Sequence, residues 1–78
     1  MNDIILDILK EMEEYSRDWA DPISITEITN VVCESFLGDE QAEEEACFTM
    51  FELTLDYSPI RPGMSVLETL IERLENEK

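Results

Sequence analysis

Apolar residues recur along most of the chain with the three-to-four-residue spacing of amphipathic helices. Within residues 3–19 these positions are Ile5, Ile8, Leu9, Met12, Tyr15 and Trp19. Acidic side chains occupy the opposite side of the same segment. Because the α-helix repeats every 3.6 residues, this spacing places the apolar side chains on one face. The pattern predicts a first helix over residues 3–19, which ends before Pro22 because the residue preceding a proline avoids the helical conformation.

A capping box from Ser24 to Glu27 marks the start of a second helix. In this motif the serine hydroxyl accepts a hydrogen bond from a backbone N–H group that the helix start leaves free. Ile23 and Ile28 occupy the positions of a hydrophobic staple around the cap. The apolar stripe that follows consists of Ile25, Ile28, Val32 and Phe36, with Val31 and Leu37 beside it. We expect the helix to end at Gly38.

Residues 39–57 predict a third helix, with an acidic first half and an apolar second half. Asp39 can cap it, and the acidic side chains of its first turns suit the positive end of the helix dipole. Its second half is apolar on nearly all sides, through Ala46, Cys47, Phe48, Met50, Phe51, Leu53, Leu55 and Tyr57. A helix that is apolar all round is usually buried. The pattern therefore predicts that this second half is the core helix against which the others pack.

A turn-rich connection over residues 58–63 separates the third helix from a fourth. The fourth helix begins at a second capping box, Ser65 to Glu68. Its apolar stripe consists of Val66, Leu67, Leu70, Ile71 and Leu74. Period-two alternation is absent, and neither an internal repeat nor a long linker divides the chain. The sequence therefore predicts an all-α fold, a compact bundle of four helices with short connections, with residues 1–78 forming a single helical domain.

Charge is distributed unevenly along the chain. Twenty acidic and five basic residues give a formal net charge of −15. No Lys or Arg lies between Arg17 and Arg61. Direct binding of nucleic acid or of an anionic membrane is disfavoured, because both require Lys and Arg to neutralise phosphate. A basic protein surface is the natural counterpart, and solubility alone is the alternative reason for such a composition.

The chain offers little chemistry for catalysis, so we expect that it is not an enzyme. It has no histidine, and its two glycines cannot form a phosphate-binding loop. Cys33 and Cys47 lie among apolar neighbours, with nothing nearby to activate a thiolate, and are interpreted as small core residues. Glu40, Glu43, Glu44 and Glu45 match no calcium-loop spacing. We therefore expect no catalytic residue, no cofactor and no metal site.

The predicted compartment is the cytoplasm. Two thiols in a small helical chain do not form a disulfide framework, which favours a reducing environment. The apolar runs are too short to cross a membrane. The first residues lack the basic region that opens a secretory signal, so secretion is disfavoured.

Two other classes of small acidic protein share some of these features. Acyl carrier proteins present a serine in an Asp-Ser-Leu motif at the start of their second helix, whereas Ser24 follows Ile23 and already has a role as helix cap. Nucleic-acid mimicry is the stronger alternative, because duplex DNA carries about one negative charge per 1.7 Å and carboxylates along a helical body can imitate that row. Phage proteins that block nucleases, including many anti-CRISPR proteins, are similar in composition.

The order of motifs in residues 25–75 resembles the order found in a known protein family. A helix opens at Ile25-Thr26-Glu27-Ile28, and Gly38-Asp39-Glu40 introduces the next helix. That helix ends in Leu53-Thr54-Leu55-Asp56-Tyr57 before Ser58-Pro59-Ile60, and a short amphipathic helix follows. This order resembles the small helical immunity proteins of bacterial toxin systems, which guard a cell against its own contact-dependent or polymorphic toxin. Nuclease-colicin immunity proteins are similar in size, acidity and their tyrosine-bearing third helix.

The resemblance implies a non-enzymatic inhibitor that binds and neutralises a basic partner enzyme such as a nuclease toxin. The predicted partner-binding residues surround the third helix and the turn after it: Asp39, Glu40, Glu43, Glu44, Glu45, Glu52, Asp56 and Tyr57. Tyr57 and then Trp19 are the candidate aromatic anchors, although core packing is the favoured interpretation of both. The competing class is a structural or assembly partner, such as a small chaperone or a complex subunit. The sequence does not determine whether the protein is a monomer or a homodimer.

Overall fold

The computed structural model describes residues 2–19, 23–55, 57–59 and 61–76. These residues form four α-helices: α1 (Asn2–Ser16), α2 (Ile25–Glu34), α3 (Glu40–Thr54) and α4 (Val66–Asn76). No strand occurs within the described ranges, and the helices there are too short or too polar to cross a membrane. The bundle measures 36 × 25 × 19 Å. The predicted all-α bundle of four helices is confirmed.

Side-chain caps fix the starts of three helices. Ser24, Asp39 and Ser65 each directly precede a helix, and a side-chain oxygen of each accepts a hydrogen bond from the backbone N–H three residues later, at 3.1–3.2 Å. Each bond satisfies a donor that the first turn leaves without a partner, which contributes about 1 kcal/mol. The Ser65 hydroxyl also donates to the Glu68 carboxylate at 3.2 Å. Both predicted capping serines are thus confirmed.

The helices end earlier than the apolar spacing predicts. α1 stops at Ser16 and α3 stops at Thr54, and in each case the terminal hydroxyl donates to a backbone carbonyl three or four residues back. Such bonds compete with the backbone pattern and favour termination. α2 stops at Glu34, and a tighter turn leads to Gly38, whose φ of +98° lies in the region that favours glycine. The predicted break at Pro22 lies outside the described residues.

One hydrophobic core joins all four helices. α1 packs mainly against α4, and α2 packs mainly against α3. The buried apolar residues are Ile5, Leu6, Leu9, Ile23, Ile28, Val32, Ala46, Met50, Leu53, Leu67, Leu70 and Leu74. Thr69 is also fully buried, and its hydroxyl donates to the Ser65 carbonyl at 3.0 Å, so the polar group has a partner.

α3 is not the central core helix that its composition predicts. Its buried side chains occupy one face, whereas Phe48 and Phe51 are each 62% exposed and Leu55 is 56% exposed. The helix is therefore apolar on two opposite faces, and the described part of the chain covers one of them. Composition alone does not distinguish such a helix from one buried on all sides. The prediction of a central α3 is wrong for this reason.

Candidate protein-interaction surface

The α2–α3 hairpin, defined as residues 23–55, has no positively charged side chain. It contains eight carboxylates and no Lys or Arg. All of them are exposed except Glu43, which is half-buried. The eight residues are Glu27, Glu34, Asp39, Glu40, Glu43, Glu44, Glu45 and Glu52. Because nothing within the hairpin neutralises these charges, this half of the molecule projects a negative field into solvent.

The bases in the described part of the chain lie outside the hairpin sequence, and each is already engaged: three form ion pairs, and Arg73 donates to backbone carbonyls. Their ion pairs are Lys10–Glu75, Arg17–Glu13 and Arg61–Glu72, with N–O distances of 3.8, 2.8 and 3.0 Å. These residues border a charged groove of about 580 Å³ beside α1 and α4. Exposed pairs of this kind add little stability, because water screens the charges and the side chains lose freedom on pairing. Each pair cancels its own charges, but the described residues outside the hairpin still have nine carboxylates against four bases, so this part of the molecule is also negative.

Exposed apolar side chains follow one line along α3. Phe48 and Phe51 are three residues apart on one side of α3, and Leu55, the C-cap residue four positions further on, continues this spacing. We call these three residues the outer stripe. The buried residues of α3 lie about half a turn away. Contiguous apolar surface of this kind on a small protein marks an interaction site more often than isolated exposed residues do.

A shallow groove adjoins the outer stripe near the start of α1. It has a volume of about 570 Å³ and is lined by Asn2, Gln41, Glu44, Glu45, Phe48 and Thr49. Glu44 precedes Phe48 by one helical turn and extends the line of the outer stripe. Glu45 and Glu52 are seven residues apart and lie along one flank of that line. The surface thus has an apolar centre with a carboxylate border, as protein interfaces commonly do.

The structure places most of the predicted contact residues on α3. Glu44 and Glu45 meet at the groove beside Phe48. Glu40 and Glu43 line a neighbouring depression of about 430 Å³ together with Glu44 and Cys47. The remaining predicted positions are Asp39 at the α3 cap, Glu52 in its last turns, Tyr57 after its end, and Asp56, which lies outside the described residues. The acidic cluster therefore continues directly into the outer stripe.

Sequence reasoning assigned the outer stripe to the core and so missed it. The available signal was the spacing of the apolar residues in α3, which fits two separate helical stripes rather than one. Trp19 was also expected to pack in the core, and this is wrong, because its side chain is 52% exposed. Tyr57, in contrast, is half-buried and packs against the core. Its part in partner binding stays a prediction.

Arg73 of α4 ties the end of α3 to the connection that follows. Its guanidinium lies 5.7 Å from the centroid of the Tyr57 ring. The same group donates to the Leu53 carbonyl at 3.3 Å and to the Ser58 carbonyl at 2.7 Å. A cation at this position also suits the negative end of the α3 dipole. Arg73 therefore fixes the position of Tyr57 relative to the acidic hairpin.

We expect the substitution Arg73→Lys to lower the free energy of unfolding by about 1–2 kcal/mol, because lysine keeps the charge but loses the forked donor geometry and the ring contact. Urea denaturation followed by circular dichroism measures this change. The matched control is Arg17→Lys, whose pairing with Glu13 is exposed, and which we expect to leave the urea midpoint unchanged. Equal losses in both variants would contradict the anchoring role.

Cys33 of α2 and Cys47 of α3 meet across the hairpin, and both are half-buried free thiols. Burial raises the pKa of the Cys33 thiol to about 11, with further contributions from its hydrogen bond to Cys47 and from repulsion by Cys47 and Glu43. The Cys33 thiol is therefore protonated at neutral pH, which disfavours nucleophilic chemistry there. Within residues 2–19, 23–55, 57–59 and 61–76, no group of three or more His, Cys, Asp or Glu side chains is arranged to hold a metal ion.

Comparison with known protein families, curated proteins and solved structures found no match for this chain. The class is therefore defined by the features above. The protein is a small four-helix bundle with one hairpin that has only negative charge and with an exposed apolar stripe on α3.

Proposed function

We propose that this protein is a non-enzymatic, immunity-type inhibitor that binds and neutralises a basic partner enzyme, specifically a nuclease toxin. The observation that carries the proposal is the complete absence of bases from one half of the bundle, the α2–α3 hairpin. The α2–α3 hairpin has eight carboxylates and no base, whereas the bases of the described residues all lie outside it, three in ion pairs and Arg73 on the Leu53 and Ser58 carbonyls. A nuclease is basic around its active site because it must bind phosphate.

Electrostatic complementarity gives such an inhibitor two properties. Opposed charges steer the encounter and raise the association rate, and they disfavour partners whose surfaces are acidic. An acidic surface seated in a phosphate-binding groove also excludes the anionic substrate. The proposed contacts are the predicted residues Asp39, Glu40, Glu43, Glu44, Glu45, Glu52, Asp56 and Tyr57. The resemblance to immunity proteins covers residues 25–75, which include all of these proposed contacts.

The test uses the full chain, tagged, as bait in a lysate of the source cells or of their host at about 50 mM salt. A captured basic protein is then purified and titrated against the chain at about 50 and 500 mM salt. We expect the dissociation constant to rise at least tenfold with salt, because ions screen exposed charges beyond about 10 Å at 0.1 M, and we expect inhibition of nuclease activity at a one-to-one ratio. An affinity that is independent of ionic strength, or a bound enzyme that stays fully active, would contradict the proposal.

A second candidate function, assembly partner or complex subunit, is favoured by the outer stripe. There the stripe would join two copies or a permanent partner, and the charge would serve solubility. Light scattering separates the candidates, since an obligate dimer at micromolar concentration favours assembly and a monomer favours the inhibitor.

Competition by duplex DNA for the captured enzyme adds a further distinction, because displacement of the chain by DNA would indicate that the hairpin occupies a phosphate-binding groove, as a nucleic-acid mimic would.

A further inference from the structure

The outer stripe of α3 remains without a partner in the described part of the chain. We infer that it is the docking surface for a basic amphipathic helix of the partner, with the neighbouring carboxylates contacting Lys and Arg of that helix. This inference rests on the proposed function and adds to it the contact surface and the form of the partner segment. Under this inference the centre of the contact surface lies at Phe48 and Phe51, and the glutamates between positions 40 and 45 lie beside it.

Geometry favours a helix as the occupant. The line from Glu44 to Leu55 contains positions 44, 48, 51 and 55, which alternate spacings of four and three residues. This is the spacing that apolar positions show in helix–helix seams, where the ridges of one helix fit between those of the other. The line is about 16 Å long at 1.5 Å per residue. A partner helix of about three turns therefore covers it.

Side-chain type and exposure indicate where the binding energy arises. Phe48 and Phe51 are each 62% exposed, so each ring has most of its apolar surface still available for burial. Aromatic residues at the centre of an interface, surrounded by polar groups that exclude water, commonly account for most of the binding energy. Phe48 also forms a wall of the groove that Glu44 and Glu45 border. An apolar side chain entering this groove would bring its flanking cations close to both carboxylates.

Charge complementarity selects a basic partner over a second copy of this chain. Contact between two outer stripes would bring together two hairpins with eight carboxylates each and no base. Glu44, Glu45 and Glu52 border the stripe, so their like charges would face one another across the new interface. Like charges at such close range oppose association. Lys and Arg on a partner helix would instead be attracted by the same carboxylates.

The test uses fluorescent 18-residue peptides of leucine and lysine as probes. One peptide places leucine at the alternating three- and four-residue spacing, and a control peptide of identical composition and charge has a scrambled order. The wild-type chain is compared with the double variant Phe48→Ser, Phe51→Ser. The matched control variant is Ile4→Ser, Tyr15→Ser, because these α1 side chains are 53% and 66% exposed. Circular dichroism verifies that every variant is folded.

We expect the wild-type chain to bind the amphipathic peptide at least tenfold tighter than the scrambled one. The Phe48→Ser, Phe51→Ser variant should lose this preference, whereas the α1 control should keep it within about twofold. Salt-dependent but equal binding of both peptides would overturn the inference and leave the proposed function standing. Absence of salt-dependent binding would overturn both. A wild-type dimer that the double Phe variant abolishes would replace the partner helix with a second copy.

Discussion

Replacement of Leu70 by alanine should lower the free energy of unfolding by about 2–5 kcal/mol. Leu70 lies in α4 and is fully buried in the core shared by all four helices. The loss combines the transfer energy of the removed carbons with the cavity that they leave. Domains of this size have stabilities near the lower end of about 5–15 kcal/mol. The variant should therefore have a strongly reduced urea midpoint and a substantial unfolded population at 37 °C.

Phe51→Ala is the informative control for this prediction. Phenylalanine is larger than leucine, yet Phe51 is 62% exposed. We therefore expect a loss of under about 1 kcal/mol, as for surface positions. Urea denaturation monitored at 222 nm compares the two variants directly. If Phe51→Ala proved as destabilising as Leu70→Ala, the outer stripe would be buried within the chain and could not serve as a docking surface.

The second large effect should come from neutralising the border of the outer stripe. We expect Glu44→Gln, Glu45→Gln, Glu52→Gln to weaken binding of the amphipathic basic peptide about tenfold at low salt, because these exposed carboxylates lie beside the proposed contact. The difference from wild type should shrink at about 500 mM salt, where screening shortens the range of each charge. Fluorescence anisotropy at the two salt concentrations provides the measurement.

A control with the same change in net charge separates position from total charge. Asp7→Asn, Glu11→Gln, Glu14→Gln removes three exposed carboxylates from α1, the helix that also contains Lys10. We expect this variant to change peptide binding by no more than about twofold, since these groups belong to a different helix and line none of the groove beside Phe48. Equal weakening by both triple variants would indicate that only the net charge of −15 matters. The acidity of the hairpin would then serve solubility.

Local features of the chain were predictable because their causes lie within a few residues. Ser24 and Ser65 cap helices through hydrogen bonds to backbone groups three positions away. The stripe containing Ile28 and Val32 is buried as its spacing predicts. The exact ends of α1 and α3 were less predictable, because the apolar pattern continues past Ser16 and Thr54 while their hydroxyls favour termination.

The candidate site was predictable only in part. The run of glutamates from Glu40 to Glu45 and the absence of bases between Arg17 and Arg61 are properties of the sequence itself. The hydrogen bonds from Arg73 to the Leu53 and Ser58 carbonyls could not be predicted from the sequence, because these carbonyls lie 20 and 15 residues from Arg73 along the chain. Such contacts depend on how α4 meets the end of α3.

The sequence by itself determined four helices, the caps of α2 and α4, and a central segment with only negative charge. Tertiary structure alone decided which apolar face of α3 is covered. Periodicity shows that a helix has apolar faces, but burial requires a second element to reach each one. Within the described residues α2 is the main partner of α3, and it leaves Phe48 and Phe51 in solvent. Because only one face of α3 is covered, the helix that was expected in the core presents a candidate binding surface on its other face.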